Sequence, residues 1–383
     1  MTYARRFLAF LAVSLVFSWA PARAIETIAR EAILMDTTTG EVLFEKNADQ
    51  LMAPASMSKM MTTYLIFERL RDGQLSLDDT FSVSETAWRK GGAKSGSSTM
   101  FLEPGTRVRV EDLIRGIIVQ SGNDASIVIA EELAGSEEAF ALEMNRRARE
   151  LGLRDSTFKN ATGWPDPGHV TTARDLAILA IRTIEDFPEF YHYYAEKEFT
   201  YNGIRQINRN PLIYKDIGVD GLKTGHTVDS GYGLAASAKR GDRRLILVVN
   251  GLLSRKARGR EPERLLEWGF REFNNYTLFK AGDLVTEADV WLGRKAAVPL
   301  LIERDLVITL ARKARLGMKV TVEYEGPIPA PVAKGDRLAK LVVTAPEREP
   351  LEVPLVAGAD VERLSLFGRL GAALGYILWG QSG

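Results

Sequence analysis

The sequence predicts an α/β domain followed by a smaller all-β domain and a C-terminal amphipathic helix. Between residues 25 and 276, strand-like segments stand at both ends with helix-like segments between them, which is typical of an α/β layer arrangement with a mixed sheet. After residue 280, helical periodicity disappears and short strand-like segments alternate with Gly, Pro and charged turns. Residues 358–383 regain apolar positions at mostly three- and four-residue spacings. A chain of 383 residues is long enough for two such cores.

The α/β domain begins with a predicted β-hairpin around the Thr-Gly turn of REAILMDTTTGEVLFEKN. An apolar segment of helical period follows to about Leu70. VEDLIRGIIVQ and DASIVIAEELAG predict two further helices, which are interrupted by SGN at 121–123. Three strands are then predicted in DGLKTGHT, GYGLAASAKR and RRLILVVNGL. The segment PERLLEWGFREF closes the domain as a helix.

Residues 280–357 predict a separate β-sandwich. Its short strands are separated by turn residues, and no segment between them has the apolar spacing of a helix. The predicted strands are VTEADVWLG, AVPLLIE, DLVITL, KVTVEYEG, LAKLVVTA and EVPLVAG.

Residues 358–383 predict an amphipathic helix that lies in a membrane surface. Tyr376 and Trp379 suit a membrane interface, whereas Arg369 argues against a full span. The remaining alternative is a terminal helix packed on its own β domain. The apolar stripe consists of Val361, Leu364, Phe367, Leu370, Leu374, Ile377 and Leu378.

Residues 1–24 predict a signal peptide. Arg5 and Arg6 precede the apolar stretch FLAFLAVSLVFSWA, and ARA at 22–24 offers small residues for cleavage. An uncleaved membrane anchor is the alternative, although the apolar run is shorter than the roughly 20 residues that a span needs. The chain is therefore expected to act outside the cytoplasm.

Composition excludes several classes of function. Fifty basic and fifty acidic residues cancel, so no global field attracts the chain to nucleic acid. The sequence has no cysteine, which removes disulfides and thiolate metal sites. Its three histidines are far apart and lack the spacing of a zinc motif, so neither a metal nor another cofactor is expected.

Ser56 and Lys59 stand one helical turn apart in APASMSKMMT, at the head of an apolar helix. Side chains at i and i+3 are neighbours on one helix face. A serine hydroxyl becomes an effective nucleophile when a positioned base takes its proton. Lysine can be that base when burial or a nearby cation favours its neutral form. The pair by itself is more often a capping serine with a solvated lysine.

Two further motifs favour a catalytic role for Ser56 and Lys59 over the capping role. SGN at 121–123 falls in a break between helices, where side chains can project into a cleft, although these are also ordinary turn residues. KTG at 223–225 lies in a strand, where Lys223 and Thr224 can face a substrate and Gly225 allows close approach of another segment. A solvated strand end is the alternative interpretation of KTG.

Two similar motifs elsewhere in the chain are interpreted as chance matches without a catalytic role. Ser156 and Lys159 repeat the Ser-x-x-Lys spacing, but Asn, Gly and Pro follow them in place of an apolar run, which predicts a surface loop. KSG at 94–96 precedes SGN in the chain and therefore stands in the wrong order.

Ser-x-x-Lys, Ser-x-Asn and Lys-Thr-Gly in this order are a known signature of serine acyl-transfer enzymes. The chain resembles the low-molecular-mass penicillin-binding proteins that act as D-alanyl-D-alanine carboxypeptidases. The resemblance covers nearly the whole chain. Two further segments, FKNATGWPDPGHVTTARDLA and LLEWGF, also resemble sequences of this family. It implies a catalytic domain of the β-lactamase/transpeptidase-like type at 25–276, with an antiparallel sheet flanked by helices.

The resemblance also implies roles for individual residues. Ser56 would attack the carbonyl between two D-alanines, with Lys59 as its base and Ser121 as a relay toward the leaving amine. The backbone N–H groups of Ser56 and His226 would hold the oxyanion. Arg258 is preferred to Arg260 as the arginine that binds the terminal carboxylate. The substrate-binding residues would be Asn123, Lys223, Thr224, Gly225, His226, Thr227 and Arg258.

The implied partners are peptidoglycan stem peptides, β-lactam antibiotics and, through the terminal helix, a membrane surface. The implied location is peripheral, on the periplasmic face of the cytoplasmic membrane. Three alternatives remain: a D,D-endopeptidase, a β-lactamase, and a non-catalytic wall-binding scaffold. The loop NATGWPDPGH offers Asp166 but no glutamate as a second base, which favours a peptidase over a β-lactamase.

Overall fold

The computed structural model describes residues 25–346 and 348–371. The predicted signal peptide at 1–24 and residues 372–383 of the predicted helix at 358–383 lie outside these residues. The strands of the first domain are β1 (Glu31–Asp36), β2 (Val42–Lys46), β3 (Thr80–Ser82), β4 (Arg107–Arg109), β5 (Glu198–Tyr201), β6 (Ile204–Ile207), β7 (Val219–Thr227), β8 (Gly231–Arg240) and β9 (Arg243–Leu252). Its helices are α1 (Lys59–Arg71), α2 (Glu85–Gly91), α3 (Val110–Arg115), α4 (Asn123–Ala134), α5 (Glu137–Glu150), α6 (Ala173–Asp186) and α7 (Arg255–Glu272).

Five strands form one antiparallel sheet in the order β2-β1-β9-β8-β7. Alternate residues of β9 face opposite sides, as the period of a strand requires. Ile246 and Val248 pack into the large helical core that includes α1 and α6, and Leu245 and Leu247 pack with Leu265 of α7. Helices therefore cover both faces, and the antiparallel sheet flanked by helices that the family resemblance implies is confirmed. The mixed sheet expected from the order of the elements alone is wrong, because every strand pairing in this sheet is antiparallel.

A helical lobe above this sheet carries the Ser-Gly-Asn segment. The helix that begins at α3 continues as a π-helical turn over Gly116–Gln120 and ends where Ser121 takes a left-handed φ of 66°. Helix α4 then begins at Asn123. The break predicted between two helices thus places the side chains of 121 and 123 at the junction of the lobe and the sheet.

The second domain is a β-sandwich. Its strands are β10 (Phe273–Phe279), β11 (Leu284–Trp291), β12 (Ala297–Ile302), β13 (Leu306–Ala311), β14 (Lys319–Glu323), β15 (Ile328–Pro329), β16 (Arg337–Ala345) and β17 (Arg348–Ala357). Six of them form a sheet in the order β14-β16-β17-β12-β11-β15, and β10 pairs with β13. Apolar residues of both layers, such as Ile308 and Leu341, form one core. The predicted all-β domain is confirmed.

The boundary between the domains falls at the end of α7. Phe273 pairs with Ala311 of β13, so residues 273–276, which the sequence interpretation gave to the first domain, belong to a strand of the second. Helix α7 is followed by a strand without an intervening loop, and the sequence offers no Gly or Pro there to mark the change.

Polar contacts join the two domains at the β1–β2 hairpin. Arg348 Nη2 donates to Glu41 Oε2 over 2.8 Å, and the hydroxyls of Thr39 and Thr309 are 2.5 Å apart. Asn275 Nδ2 donates to Asp36 Oδ1 over 3.1 Å. The first domain is therefore held by the edge of its sheet that lies opposite β7.

The chain after the sandwich first follows the β domain. Val361 bridges to Val332, and Arg363 bridges to Gly293. A helix begins at 366–371, where Phe367 is 87% exposed. Within the described ranges, no helix has the length and apolar character needed to cross a membrane.

Candidate active site

The Ser56 side chain is presented by a short helical turn. Ala55–Ser58 form a 3₁₀ turn that runs directly into α1. Ala55 has a φ of +48°, a conformation that costs energy for a residue with a side chain and is found mostly at functional sites. The turn directs Ser56 toward a cleft of about 650 Å³, whose lining includes this serine.

Lys59 lies directly beneath Ser56 and is 1% exposed. Its Nζ is 3.2 Å from Ser56 Oγ and 2.7 Å from Asn123 Oδ1, and it also contacts the Thr162 carbonyl. Burial, and to a lesser extent the positive charge of Arg209, lower the pKa of the amine to about 7. A neutral amine has two N–H donors and one lone pair. The two acceptor oxygens of Asn123 and Thr162 take the donors, which leaves the lone pair for the Ser56 hydroxyl.

Ser121 and Asn123 enter the site from the lobe. The Ser121 hydroxyl is buried and has no hydrogen-bond partner in the described part of the chain. Its residue lines the same cleft as Ser56. The Asn123 N–H donates to the Ser98 carbonyl over 2.7 Å, which fixes the start of α4. An unpaired buried hydroxyl costs free energy, so a reaction partner that bonds to Ser121 recovers that cost.

Asp124 fixes this corner of the lobe. Its carboxylate is fully buried and accepts hydrogen bonds from the Met100, Leu102 and Ala125 N–H groups at 2.9–3.1 Å. The Thr99 hydroxyl donates to it over 2.5 Å. Burial raises the pKa of the carboxyl, and these donors oppose that shift. The bonds hold the segment at 99–102 against the helix that carries Asn123.

Strand β7 forms the opposite wall. Lys223 is 2% exposed, and its Nζ donates to the Thr224 carbonyl over 3.3 Å. Burial lowers the pKa of this lysine well below its ordinary value, and the nearby Lys59 lowers it further. Gly225 lies against the Ser56 turn, since a Cβ there would stand 2.9 Å from the Pro54 carbonyl oxygen. Glycine at this position lets the strand approach the turn closely.

Arg258 and His226 complete the exposed end of the cleft. Arg258 Nη1 lies 3.5 Å from the Gly225 carbonyl oxygen, and its guanidinium stands over the Tyr232 ring at 5.4 Å. The His226 ring packs on the same tyrosine with centroids 3.9 Å apart. Burial, together with the neighbouring Arg255 and Arg209, lowers the pKa of Arg258 to about 10. The guanidinium is still the charged form at neutral pH.

His169 supports the Ser56 turn from below. Its Nε2 is 2.8 Å from Ser58 Oγ, and its Nδ1 accepts from the Lys159 N–H at 3.4 Å. Ser58 Oγ also donates to the Ala55 carbonyl over 2.9 Å. The ring therefore carries its proton on Nε2 and is neutral, which agrees with a pKa that burial lowers to about 4. The histidine has a positioning role in the structure.

The structure brings together most of the residues that the sequence singled out. Ser56, Ser121, Thr224, Gly225, His226 and Arg258 line one cleft, and the side chains of Lys59 and Asn123 meet beneath it. Thr227 differs, because its hydroxyl bonds to Ser230 in the β7–β8 turn and the residue is absent from the cleft lining. Arg260 belongs to α7, as Arg258 does, but it lines a separate groove.

The second Ser-x-x-Lys motif, at Ser156, is absent from the lining of this cleft, but Ser156 is not a surface residue as predicted. Ser156 is 8% exposed, and its hydroxyl donates to Asp175 Oδ2 over 2.7 Å. The serine therefore holds its loop to the start of α6. Asn and Gly neighbours predicted exposure, but the long-range partner Asp175 buries the hydroxyl.

Several site groups have no signal in the sequence. Thr162 contributes a main-chain carbonyl, for which no side-chain pattern exists. Tyr232 reads as one residue of a strand, and Arg209 and Arg255 read as surface charges. Tyr232, Arg209 and Arg255 reach the cleft, and the Thr162 carbonyl reaches Lys59, only through the packing of distant segments. In the described residues, no group of three or more His, Asp or Glu side chains is placed to hold a metal ion.

A serine contacted by a buried amine, with a second buried hydroxyl beside it, defines an enzyme that transfers acyl groups through serine. The family described as D-alanyl-D-alanine carboxypeptidase matches residues 18–252, and the family described as penicillin-binding protein 5, C-terminal domain, matches residues 273–363. The chain belongs to the D-alanyl-D-alanine carboxypeptidase family.

Individual relatives agree over most of the chain. D-alanyl-D-alanine carboxypeptidase DacC of Escherichia coli is 42% identical over 89% of this chain and 86% of its own length. The crystal structure of penicillin-binding protein 5 from Haemophilus influenzae matches with a TM-score of 0.78 at 38% identity, over 89% of this chain and 99% of that one. Penicillin-binding protein D2 from Listeria monocytogenes in its ampicillin-bound form matches with a TM-score of 0.56 at 31% identity, over 64% of this chain and 99% of that one.

Proposed function

We propose that this carboxypeptidase removes the terminal D-alanine from peptidoglycan stem peptides through an acyl-enzyme on Ser56. One observation carries the assignment: the Lys59 amine is buried, has a pKa of about 7, and has two acceptor oxygens for its N–H groups. Its lone pair is therefore available to the Ser56 hydroxyl at 3.2 Å. This is the arrangement that a general base needs.

In the acylation step, Lys59 takes the Ser56 proton while Oγ attacks the carbonyl between the two D-alanines. The backbone N–H groups of Ser56 and His226 stabilise the oxyanion. Ser121, whose hydroxyl lacks a partner in the described chain, passes a proton to the leaving nitrogen. The C–N bond then breaks and D-alanine leaves. Water hydrolyses the ester in the second half of the reaction.

Substrate binding is assigned to strand β7 and its neighbours. Asn123 holds the amide of the acyl part, and Arg258 binds the terminal carboxylate, with Lys223 and Thr224 shaping the field around it. Gly225 and Thr227 are assigned indirect roles, through the position of strand β7. The glycine allows the close approach of the Ser56 turn, and the threonine fixes the β7–β8 turn. Of the predicted binding residues, Thr227 has the weakest support.

β-Lactams are proposed to acylate the same serine. The ampicillin-bound relative from Listeria monocytogenes supports this proposal. A β-lactamase activity is not favoured, because Asp166 is exposed and its carboxylate accepts from the Gly168 N–H of its own loop at 2.9 Å. It is absent from the lining of the cleft that contains Ser56.

Labelling with a fluorescent penicillin tests the assignment. Peptide mapping by mass spectrometry should place the label on Ser56, and Ser56→Ala should abolish both labelling and release of D-alanine from a peptide ending in D-Ala-D-Ala. Lys59→Ala should reduce both by several orders of magnitude, since a general base and its positioned proton transfer are lost. Ser156→Ala is the matched control, because its serine has the same local spacing but lies at Asp175. Label on Ser156, or full activity of Ser56→Ala, would refute the mechanism.

The domain limits and the location are also proposed. The assigned units are a signal peptide at 1–24, the catalytic domain at 25–276, the sandwich at 280–357 and a membrane-surface helix at 358–383. The structure corrects two of these limits: the sandwich starts at 273, and the helix starts at 366 because residues 361 and 363 bridge to the sandwich. Exposed Leu366, Phe367 and Leu370 at the start of the last helix support peripheral attachment to the periplasmic face of the cytoplasmic membrane.

A further inference from the structure

Three arginines converge on one end of the cleft without acidic partners. Arg209, Arg255 and Arg258 all line it, and none forms an ion pair within the described part of the chain. By contrast, Arg264 on the same helix as Arg255 pairs with Glu261 at 2.7 Å. Unpaired cations gathered at one place repel each other, so this end of the cleft attracts anions.

The charges interact strongly enough to affect one another. Arg255 and Arg209 both lower the pKa of Arg258, after the larger effect of its burial. Arg258 Nε is buried and has no hydrogen-bond partner among the described residues. Arg209 is held by the Ser98 hydroxyl, and Arg255 has no side-chain hydrogen bond in the described chain. Their guanidinium groups therefore keep most of their donors free.

A single terminal carboxylate does not account for this set. The carboxylate proposed to bind Arg258 carries one negative charge, whereas three guanidinium groups line the cleft. Arg209 and Arg255 line the same cleft as Arg258, together with Pro211 and the half-exposed Tyr214. The positive charge of the cleft therefore exceeds what one terminal carboxylate neutralises.

We propose that Arg209 and Arg255 form a second anion subsite, which receives a carboxylate carried by a leaving residue larger than alanine. The proposal rests on the function assigned above and extends it to acidic leaving groups. Cutting a cross-link releases such a group, because the leaving amine then belongs to a second stem peptide with carboxylates of its own.

The chemistry of the step is unchanged. The amide C–N bond before the leaving residue breaks, and an ester forms between the carbonyl carbon and Ser56 Oγ. The serine proton reaches the leaving nitrogen, and water then hydrolyses the ester. The subsite acts only on the far part of the leaving residue, so it stabilises binding through charge-assisted hydrogen bonds.

Two peptides with the same acyl part, ending in D-Ala-D-Glu or D-Ala-D-Gln, test the subsite. They have nearly the same shape and differ in one carboxylate. We expect kcat/KM for the D-Glu peptide to exceed that for the D-Gln peptide by about tenfold, the range of one charge-assisted hydrogen bond. The ratio should fall as NaCl is raised, because salt screens charges in an open cleft. A third peptide ending in D-Ala-D-Ala reports the basic activity separately.

Arg255→Gln should bring the ratio close to one. The ratio compares two substrates on the same protein, so partial loss of folded enzyme cancels from it. Arg260→Gln is the matched control, because Arg260 is on the same helix but lies in a different groove. It should keep both the ratio and the D-Ala-D-Ala activity. Arg209→Gln should also lower the ratio, although it changes the field at Lys59 as well.

The outcomes separate the two proposals. A wild-type ratio near one, with normal D-Ala-D-Ala cleavage, would overturn the subsite and leave the carboxypeptidase intact. A ratio that persists in both Arg255→Gln and Arg209→Gln would place the anion preference elsewhere and would equally overturn it. Absence of activity on all three peptides would count against the carboxypeptidase itself.

Discussion

At position 59, a lysine amine is kept away from water by the Ser56 turn, the start of α4 and the loop at Thr162. Burial favours its neutral form, and Arg209 acts in the same direction, whereas Glu137 and Asp124 favour the charged form. The balance places the pKa at about 7. Such a base is half deprotonated near neutral pH, where it combines a usable lone pair with enough basicity.

The pH dependence of acylation follows from this pKa. Because Lys59 accepts a proton only when neutral, acylation by a penicillin should be slow at pH 5, rise through a midpoint near 7 and level off above it. Single-turnover labelling at a series of pH values measures the midpoint. Lys59→Arg should lose activity by more than about a thousandfold at every pH in this range, since arginine stays charged. Lys159→Arg is the control and should leave the profile unchanged. A wild-type profile that is flat between pH 5 and 9 would exclude Lys59 as the base.

Gly163 is required by the close approach of its loop to the Ser56 turn. It has a φ of +77°, and a Cβ there would lie 1.9 Å from the Ala55 carbonyl oxygen. Gly163→Ala should therefore displace the turn and reduce acylation by at least about tenfold, in addition to a stability cost of about 1 kcal/mol for the left-handed conformation. Single-turnover labelling and thermal melting measure the two effects.

Gly73→Ala separates the steric effect from the backbone effect. Gly73 also has a positive φ, +69°, but a Cβ there would meet no atom within 4 Å. This variant should show the stability cost alone, with normal labelling. Equal acylation rates for Gly163→Ala and Gly73→Ala would contradict the steric argument.

At the scale of secondary-structure elements, the break between α3 and α4 decides where Ser121 and Asn123 point. Its geometry depends on Asp124, which joins α4 to the segment at 99–102. The sequence predicted the break from three turn residues, but the role of Asp124 depends on a segment more than 20 residues away. A pattern of local turn propensity carries no information about such a partner.

Removing the Asp124 carboxylate should loosen this corner. Asp124→Ala leaves several buried N–H and O–H donors unpaired, and we expect a loss of about 2–4 kcal/mol in the free energy of unfolding. Thermal and denaturant unfolding measure it, and penicillin labelling should slow because Asn123 shifts with its helix. Asp124→Asn retains one acceptor oxygen and should lose less on both measures. Stability of Asp124→Ala equal to that of the wild type would show that these bonds do not hold the corner.

The three local motifs were the part of the site that the sequence could predict. Each lies at the start or end of one element, so spacing and periodicity locate it. Tyr232, Arg209 and the Thr162 carbonyl could not be predicted in the same way, because they reach the cleft through tertiary packing. The same limit explains the domain boundary, where β10 is recognised as part of the sandwich only by its pairing with β13.

At the scale of the whole molecule, the C-terminal end of the described chain consists of a segment bound to the sandwich and a short exposed helix. Residues 361 and 363 bridge to the sandwich, and the helix that begins at 366 exposes its apolar side chains. Deleting residues 366–383 should therefore leave carboxypeptidase activity and thermal stability unchanged while releasing the protein from membrane vesicles. Sedimentation with vesicles, together with D-alanine release, measures both.

A deletion that begins at Asp360 is the informative comparison. It also removes Val361, which is 1% exposed and paired with Val332, so it should lower the stability of the β domain. Membrane binding that survives deletion of 366–383 would contradict the proposed role of the helix.

The two domains meet at the β1–β2 hairpin, whereas β7 forms the other edge of the same sheet. Three to four inter-strand spacings, roughly 14–19 Å, separate these edges. A support fixed at one edge leaves the flank beside β7 unobstructed. A long, branched polymer can therefore pass alongside this flank and present its short side chains one after another, without colliding with the β-sandwich at the opposite edge of the sheet.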